Sequence, residues 1–309
     1  MKHSINKRTL ACGLAASAAA MVLLAVTGSG AVAGTNGPVA PEEVYALTND
    51  DVLLEFDGNN PNNVERTDIT GLRGNESLVG IDFRPSNAVG ATPGTVGALY
   101  GVGDKSNIYI IDEDTGAAER VSQLNDSETG DRLDLMGNNF GVDFNPTVDR
   151  LRIVSNTEQN LRVNVDNGDT IVDGDLSYVE GDQNEGENPG VTAVAYTNNQ
   201  PTAIGGSTEL YDIDASLDIL AQQVDANAGD LATIGPLGEN VKMITGFDVV
   251  TTTLDGDQAF AALQRKGVKA SGFFSVNLDT GEVSSMGRID GPRTKVNGLA
   301  IPIEGSING

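Results

Sequence analysis

Tryptophan is absent from the 309-residue chain, and cysteine and histidine occur once each, as Cys12 and His3. Both fall in the first 33 residues, which read as an export signal. Lys2, Lys7 and Arg8 form a positive start, Leu10 to Val26 is apolar and uncharged, and Ala31-Val-Ala33 precedes Gly34 as a signal-peptidase site would. Lys7-Arg8 is not a twin-arginine pair, and Cys12 precedes the apolar run instead of closing it, so the general secretory route is expected over the folded-protein and lipoprotein routes. Cleavage after Ala33 leaves no Cys, His or Trp. Disulfides, thiol nucleophiles, Ser-His-Asp triads and the usual zinc, copper or haem ligation are thereby excluded. Catalysis would fall to carboxylates, Lys, Tyr, Ser or Thr, and any metal would be a hard cation held by oxygen.

Basic residues are scarce as well. The whole chain carries a net charge of −25, and removal of residues 1–33 leaves 16 basic against 44 acidic residues, a net charge of −28. Nucleic acid and anionic membranes are poor partners for such a surface. The acidity fits solubility in a salty exterior, divalent-cation binding or attraction of cationic ligands, with a solvated acidic surface as the simplest reading. The expected location is extracellular, or periplasmic in a host with an outer membrane, with no stable membrane insertion after cleavage.

Sustained helical periodicity is also missing. What is present is a phrase of Gly or Ala, an apolar residue, a small or acidic residue and another apolar residue. It begins at Gly80, Gly141, Ala193, Gly246 and Gly298, at offsets of 61, 52, 53 and 52 residues. That period matches one four-stranded propeller blade. After Gly80 come Ala98–Val102, Ile108–Ile111, the turn Asp112–Gly116 and Ala117–Ser122; after Gly141 come Leu151–Val154, Leu161–Val165, the turn Asp166–Gly168 and Thr170–Asp173. Short apolar runs broken by Gly, Asp and Asn mark hairpin-linked strands. Ala215 to Ala226 could be drawn as an amphipathic helix but falls where an outer hairpin belongs, and is assigned to strands.

The ends complete the count. Val44–Leu47, Val52–Phe56 and Val64–Ile69 lack a first strand, and Val296–Ile301 is a first strand with nothing after it. The expected fold is therefore all-β: a five-bladed β-propeller of four-stranded blades, closed by pairing the N- and C-terminal strands in one blade. Six blades is the alternative if the longer Gly80–Gly141 interval hides more than loops. The expected organisation is a signal peptide over 1–33, a leader over 34–42, the propeller over 43–303 and a tail over 304–309.

Three sets of residues are candidates for chemistry. Asp82, Asp143 and Asp248 hold the same place in three of the five phrases, with Ala195 and Ala300 in the other two. If the first strands line the channel, these carboxylates converge, and a pair could act as acid and base on a glycosidic bond. The alternative is structural, an acid in register that hydrogen-bonds a turn or a neighbouring strand. Arg152 and Arg162, on nearby strands, could hold an acid ionised or bind an anionic group. Asp182, Asn184 and Glu187, around Gly186, carry oxygens at the spacing of a calcium loop, though without the twelve-residue loop and flanking helices of an EF-hand. Asp255-Gly-Asp257 and Asp166-Asn-Gly-Asp169 are weaker versions.

Asn139–Val154 (Asn-Phe-Gly-Val-Asp-Phe-Asn-Pro-Thr-Val-Asp-Arg-Leu-Arg-Ile-Val), followed by Asn160–Asn164, Asn188–Val191 and Leu210–Asp214, resembles the secreted prokaryotic family known as domain of unknown function 4394. Leu78–Phe83 and Leu99–Val102 fit it too, and Val89 to Val96 stands out as an insertion. The resemblance implies export and a β-rich repeat fold, and brings no activity or catalytic residues. The sequence thus points to a non-enzymatic binding or surface module, with a carboxylate-dependent glycoside hydrolase and a calcium-stapled structural module as alternatives.

Overall fold

The computed structural model describes residues 38–85, 95, 97–199, 206–252 and 256–302. The signal segment, the tail, Asp255 and all of the Val89 to Val96 insertion except Thr95 lie outside the described residues. Within them the chain is all-β, with five sheets of four or five strands and no helix. The innermost strands are Leu78–Phe83, Phe140–Asn145, Val191–Tyr196, Val241–Thr252 and Val296–Ala300. Each opens one of the five expected blades, so the Gly80–Gly141 interval holds a single blade. Blade one is closed as predicted: Val296–Ala300 pairs antiparallel with Val44–Thr48, with Ala46 opposite Leu299. Blades two to five follow in chain order. The segment read as strand rather than helix contains Ile219–Asp225, the third strand of blade four.

Blades three and four gain a fifth strand from the linker that precedes them. Asn125–Asp126 pairs parallel with the outermost strand of blade three, and Ser177–Tyr178 does the same for blade four. An isolated parallel bridge between Thr70 and Ala117 repeats the device at blade two. A linker laid along an outer strand removes the free edge that would otherwise template aggregation. The outer hairpin turn sits hard against that linker. Gly168 of blade three has a φ of +81°, and a Cβ there would strike the carbonyl of Gln123, the last residue of blade two before the linker. Both backbone conformation and space therefore require glycine.

The first residue of the recurring phrase is small for a related reason. A Cβ on Gly141 would lie 2.7 Å from the Val194 nitrogen of the next blade, and one on Gly246 would lie 2.7 Å from the Gly298 carbonyl carbon. At these two positions the inner strands approach closely enough to leave no room for a methyl group, whereas blade four accommodates that of Ala193. Farther out the blades fan apart, and apolar side chains fill the wedges. Five buried clusters occupy the five interfaces, as with Phe56, Phe260, Phe273 and Leu299 between blades five and one. Because each blade is covered on both faces, its inner strands read as continuous apolar runs instead of alternating ones.

Ring closure rests on one short strand. Leu299→Ala, which removes a buried side chain from the closing interface, is expected to lower unfolding free energy by about 2–5 kcal/mol. Urea titration should show an earlier midpoint at an unchanged m-value; a loss within error would mean that closure does not govern stability.

Candidate functional site

The innermost strands all start on one face of the ring and end on the other, so residues at equal positions meet around the axis. Asp82, Asp143 and Asp248 stand near that exit end. One carboxylate oxygen from each lies within 4.8 Å of the others. All three side chains are buried, at 6%, 4% and 3% exposure. They surround a cavity of about 10 Å³, completed by Phe83, Pro85, Phe144, Tyr196, Asn199 and Ile301. That is room for one water-sized sphere.

Each acid also reaches across to the next blade. Phe144 N donates to Asp82 Oδ2 at 2.6 Å, Tyr196 N to Asp143 Oδ1 at 3.1 Å and Ile301 N to Asp248 Oδ2 at 2.6 Å. Asp82 Oδ1 and Asp248 Oδ1 additionally accept the amides of Phe83 and Val249. The two readings of the recurring acid are therefore not exclusive, since the carboxylates converge and also staple neighbouring strands. Blade four has Ala195 in place of the acid, and Asn199 makes the link to blade five. Its Nδ2 donates to Val249 O at 2.6 Å and its Oδ1 accepts from Thr251 N at 2.8 Å. Asn199 was not singled out in the sequence because it lies four residues beyond the register position, where only three-dimensional proximity marks it.

The electrostatics of this cluster are adverse. Burial, and then repulsion by Asp248, push the Asp82 carboxyl well above the usual carboxylate range; burial and repulsion by Asp82 and Asp248 do the same to Asp143. Burial pushes Asp248 up to about 7, against the opposing hydrogen bonds from Ile301 and Val249. Among the described residues no lysine, arginine or histidine lines the cavity. Asp143 Oδ2 has no hydrogen-bond donor among the described residues. Among those residues this is the one group of three or more potential ligands that converges. Its all-oxygen donor set suits a hard cation.

The other candidates are placed elsewhere. Arg152 and Arg162 stand opposite each other on adjacent strands and both bind Asp173, at 2.6 and 2.9 Å. Arg152 further donates to Tyr196 Oη and Asn227 Oδ1 of blade four, so it clamps an interface and is not directed at the three acids. Asp182 accepts Thr233 N through Oδ2 and Thr233 Oγ1 through Oδ1, and Asn184 Nδ2 donates to the same hydroxyl. Burial opposes ionisation of Asp182, but the bonds from Thr233 and Asn184 prevail and hold its carboxyl below the ordinary value. Glu187 is exposed and does not join them in a converging group. Asp166 pairs with the buried Arg84, and Asp257 accepts Thr251 Oγ1.

No curated protein sequence matches the chain. Among solved structures, a protein of unknown function from Bacteroides thetaiotaomicron is similar at 15% identity and a TM-score of 0.44, over 87% of this chain and 63% of that one. An auxiliary nutrient binding protein from the same organism is similar at 10% identity and a TM-score of 0.42, over 84% and 64%. The calcium-binding protein regucalcin from Agrobacterium tumefaciens is similar at 12% identity and a TM-score of 0.41, over 84% and 78%. The chain thus spans under two thirds of the length of the first two, and none of these similarities bears on function. The family match is of another order, since it runs over residues 52–300, nearly the whole ring, and the chain belongs to the family described as Domain of unknown function (DUF4394).

Proposed function

We propose that this protein is an exported, non-enzymatic binding module whose ring is pinned at one end of its channel by a divalent cation of the calcium type. The observation that supports this reading is the convergence of three buried carboxylates on a water-sized cavity with no counter-charge. Buried charges are ordinarily paired or bound to metal, because removal from water otherwise opposes ionisation. Asp82, Asp143 and Asp248 would hold the ion, which would supply positive charge and not a reaction. Calcium tolerates irregular oxygen sets, whereas magnesium demands near-octahedral geometry, and ligands carried by three separate blades suit the former. Export rests on the signal-like first 33 residues and the acidic surface.

The glycosidase alternative fits less well. Two carboxylates acting on a glycosidic bond must flank a sugar ring, and a cavity of about 10 Å³ holds no pyranose. The amide bonds that fix the acids also leave them little freedom to move. The channel-end acids are therefore read as cation ligands, with ligand recognition left to the loops and the other mouth.

A cation that binds only the folded ring stabilises it by mass action, by about 2.7 kcal/mol at a hundred times its Kd. For the chain from Gly34, dilute calcium should raise Tm by several degrees over chelator, and sodium chloride of matched ionic strength should not. In Asp143→Asn the remaining amide oxygen can still accept Tyr196 N, yet one charge is gone. This variant should melt higher than the parent in chelator and lose the calcium response. Equal responses to both salts would overturn the proposal.

The pH dependence has a definite sign. The three acids hold protons in the folded state at pH values where the unfolded chain has released them. Their contribution is complete below about pH 4, the unfolded carboxylate value, and is lost as pH rises through the raised folded values, about 7 for Asp248. In chelator, Tm should therefore fall between pH 5 and 8. The calcium response should grow over the same interval, because the ion displaces protons. Asp212, which burial also pushes up to about 7, lies outside the cavity and leaves a residual slope that calcium does not alter. A calcium response independent of pH would exclude the three acids as ligands.

A further inference from the structure

The face on which the innermost strands begin has the opposite character. Lys242 stands at the start of the blade-five inner strand, Lys269 in the next hairpin loop, and Arg293 and Lys295 in the segment leading to Val296. Together with Gln264 they line one open cavity of about 370 Å³. None of the four cations makes an ion pair among the described residues. The acids of these loops are engaged elsewhere: Glu239 with Arg265, Asp218 with Lys266 and Asp290 with Arg66. In a chain with 44 acidic residues, four unpaired cations around one cavity repel one another, and an anion between them removes that repulsion.

Two further atoms describe what else such a ligand carries. Gln264 is 1% exposed and gives its Nε2 hydrogen to Val268 O at 2.9 Å, while its Oε1 is buried with no donor. On the same face of the ring is the channel mouth, a second space of about 180 Å³ whose lining includes Met243, next to Lys242 in sequence, and Asn297, two residues beyond Lys295. Asn297 Nδ2 donates to Leu78 O, and Asn297 Oδ1 is likewise buried and unpartnered. Buried acceptors without donors are disfavoured and are ordinarily satisfied. Four cations with two waiting acceptors fit a ligand that joins negative charge to hydroxyl donors.

We infer that this face binds an acidic saccharide, with a carboxylate on the Lys242, Lys269, Arg293 and Lys295 cluster and hydroxyls directed to Gln264 Oε1 and Asn297 Oδ1. The volume suits one or two sugar units, within the range of small-ligand sites. The overall negative charge opposes a long polyanion such as nucleic acid, but at physiological ionic strength the field is screened within about 8 Å. The local cations therefore dominate at the cavity. The inference rests on the binding-module reading and not on the channel cation, which belongs to the other end of the ring.

The test is calorimetric titration of the chain from Gly34 with digalacturonate, its dimethyl ester, inorganic phosphate and sulfate. Digalacturonate should bind, and Lys269→Gln/Arg293→Gln/Lys295→Gln, at two exposed positions and one half-buried one, should weaken it by at least about tenfold. The uncharged ester should not bind, and phosphate and sulfate should be weaker by about tenfold because they bring no array of hydroxyl donors. No binding of digalacturonate, equal binding of the ester, phosphate binding as tight as the sugar, or an unaffected triple variant would each overturn the assignment. Calcium stabilisation should survive in the triple variant, and digalacturonate binding should survive in Asp143→Asn. Loss of one response with retention of the other identifies which reading has failed.

Discussion

The structure depends on how the innermost strand of each blade satisfies the backbone groups on its axial edge. Within a blade that strand has one ladder partner, and its other edge faces the channel. A backbone amide left unpaired there would be buried without compensation. Carboxylates on three blades reach across the gap and accept amides of the next inner strand, and Asn199 performs the same task from blade four. The solution is local and repeated, and it has a collective consequence. Acids placed in register on strands around one axis must meet, so the device that joins the blades also concentrates negative charge where water is scarce.

Two buried arginine clamps between blades avoid that conflict because each carries its own counter-charge. Arg84 of blade two is 1% exposed and binds both Asp149 and Asp166 of blade three, at 2.6 and 2.7 Å. Arg152 of blade three is held by Asp173 and Asn160 while it reaches Tyr196 and Asn227 of blade four. Removal of one partner from such a pair leaves a buried charge unmatched, which typically destabilises by several kcal/mol. These clamps orient blades that the apolar wedges alone would hold without fixing their register. The axial acids differ from these clamps in bringing three charges of one sign together.

The two ends of the channel are consequently unlike. At one, carboxylates surround a space for a single small sphere. The other is lined by Asn138, Asn139, Thr192, Thr245 and Asn297 and is flanked by lysines and arginine. The tight glycine contacts of Gly141 and Gly246 with the neighbouring inner strands lie between them along the strands. The small acid-lined space and the wider polar one thus lie at opposite ends of the same inner strands, so a change at one end need not disturb the other.

The fold was legible because a repeat states its own period. The phrase at Gly80, Gly141, Ala193, Gly246 and Gly298 set the number of blades, and the orphan strand at Val296 required closure against Val44–Leu47. The register of Asp82, Asp143 and Asp248 was equally visible, since equal positions in a cyclic repeat meet at the axis. Contacts that join positions of different rank in the repeat were not legible. Nothing in the local sequence says that Asn199 replaces an acid absent at position 195, that Arg152 and Arg162 share Asp173, or that Asp182 closes on Thr233 fifty-one residues away. The cations at 242, 269, 293 and 295 are scattered through 54 residues and read as ordinary surface charge. Sequence by itself determined period, strand content and the inward acids, because these follow from local pattern and symmetry. Tertiary structure alone decided which side chains share a cavity, because stacking the blades brings distant loops together and leaves some groups paired and others free.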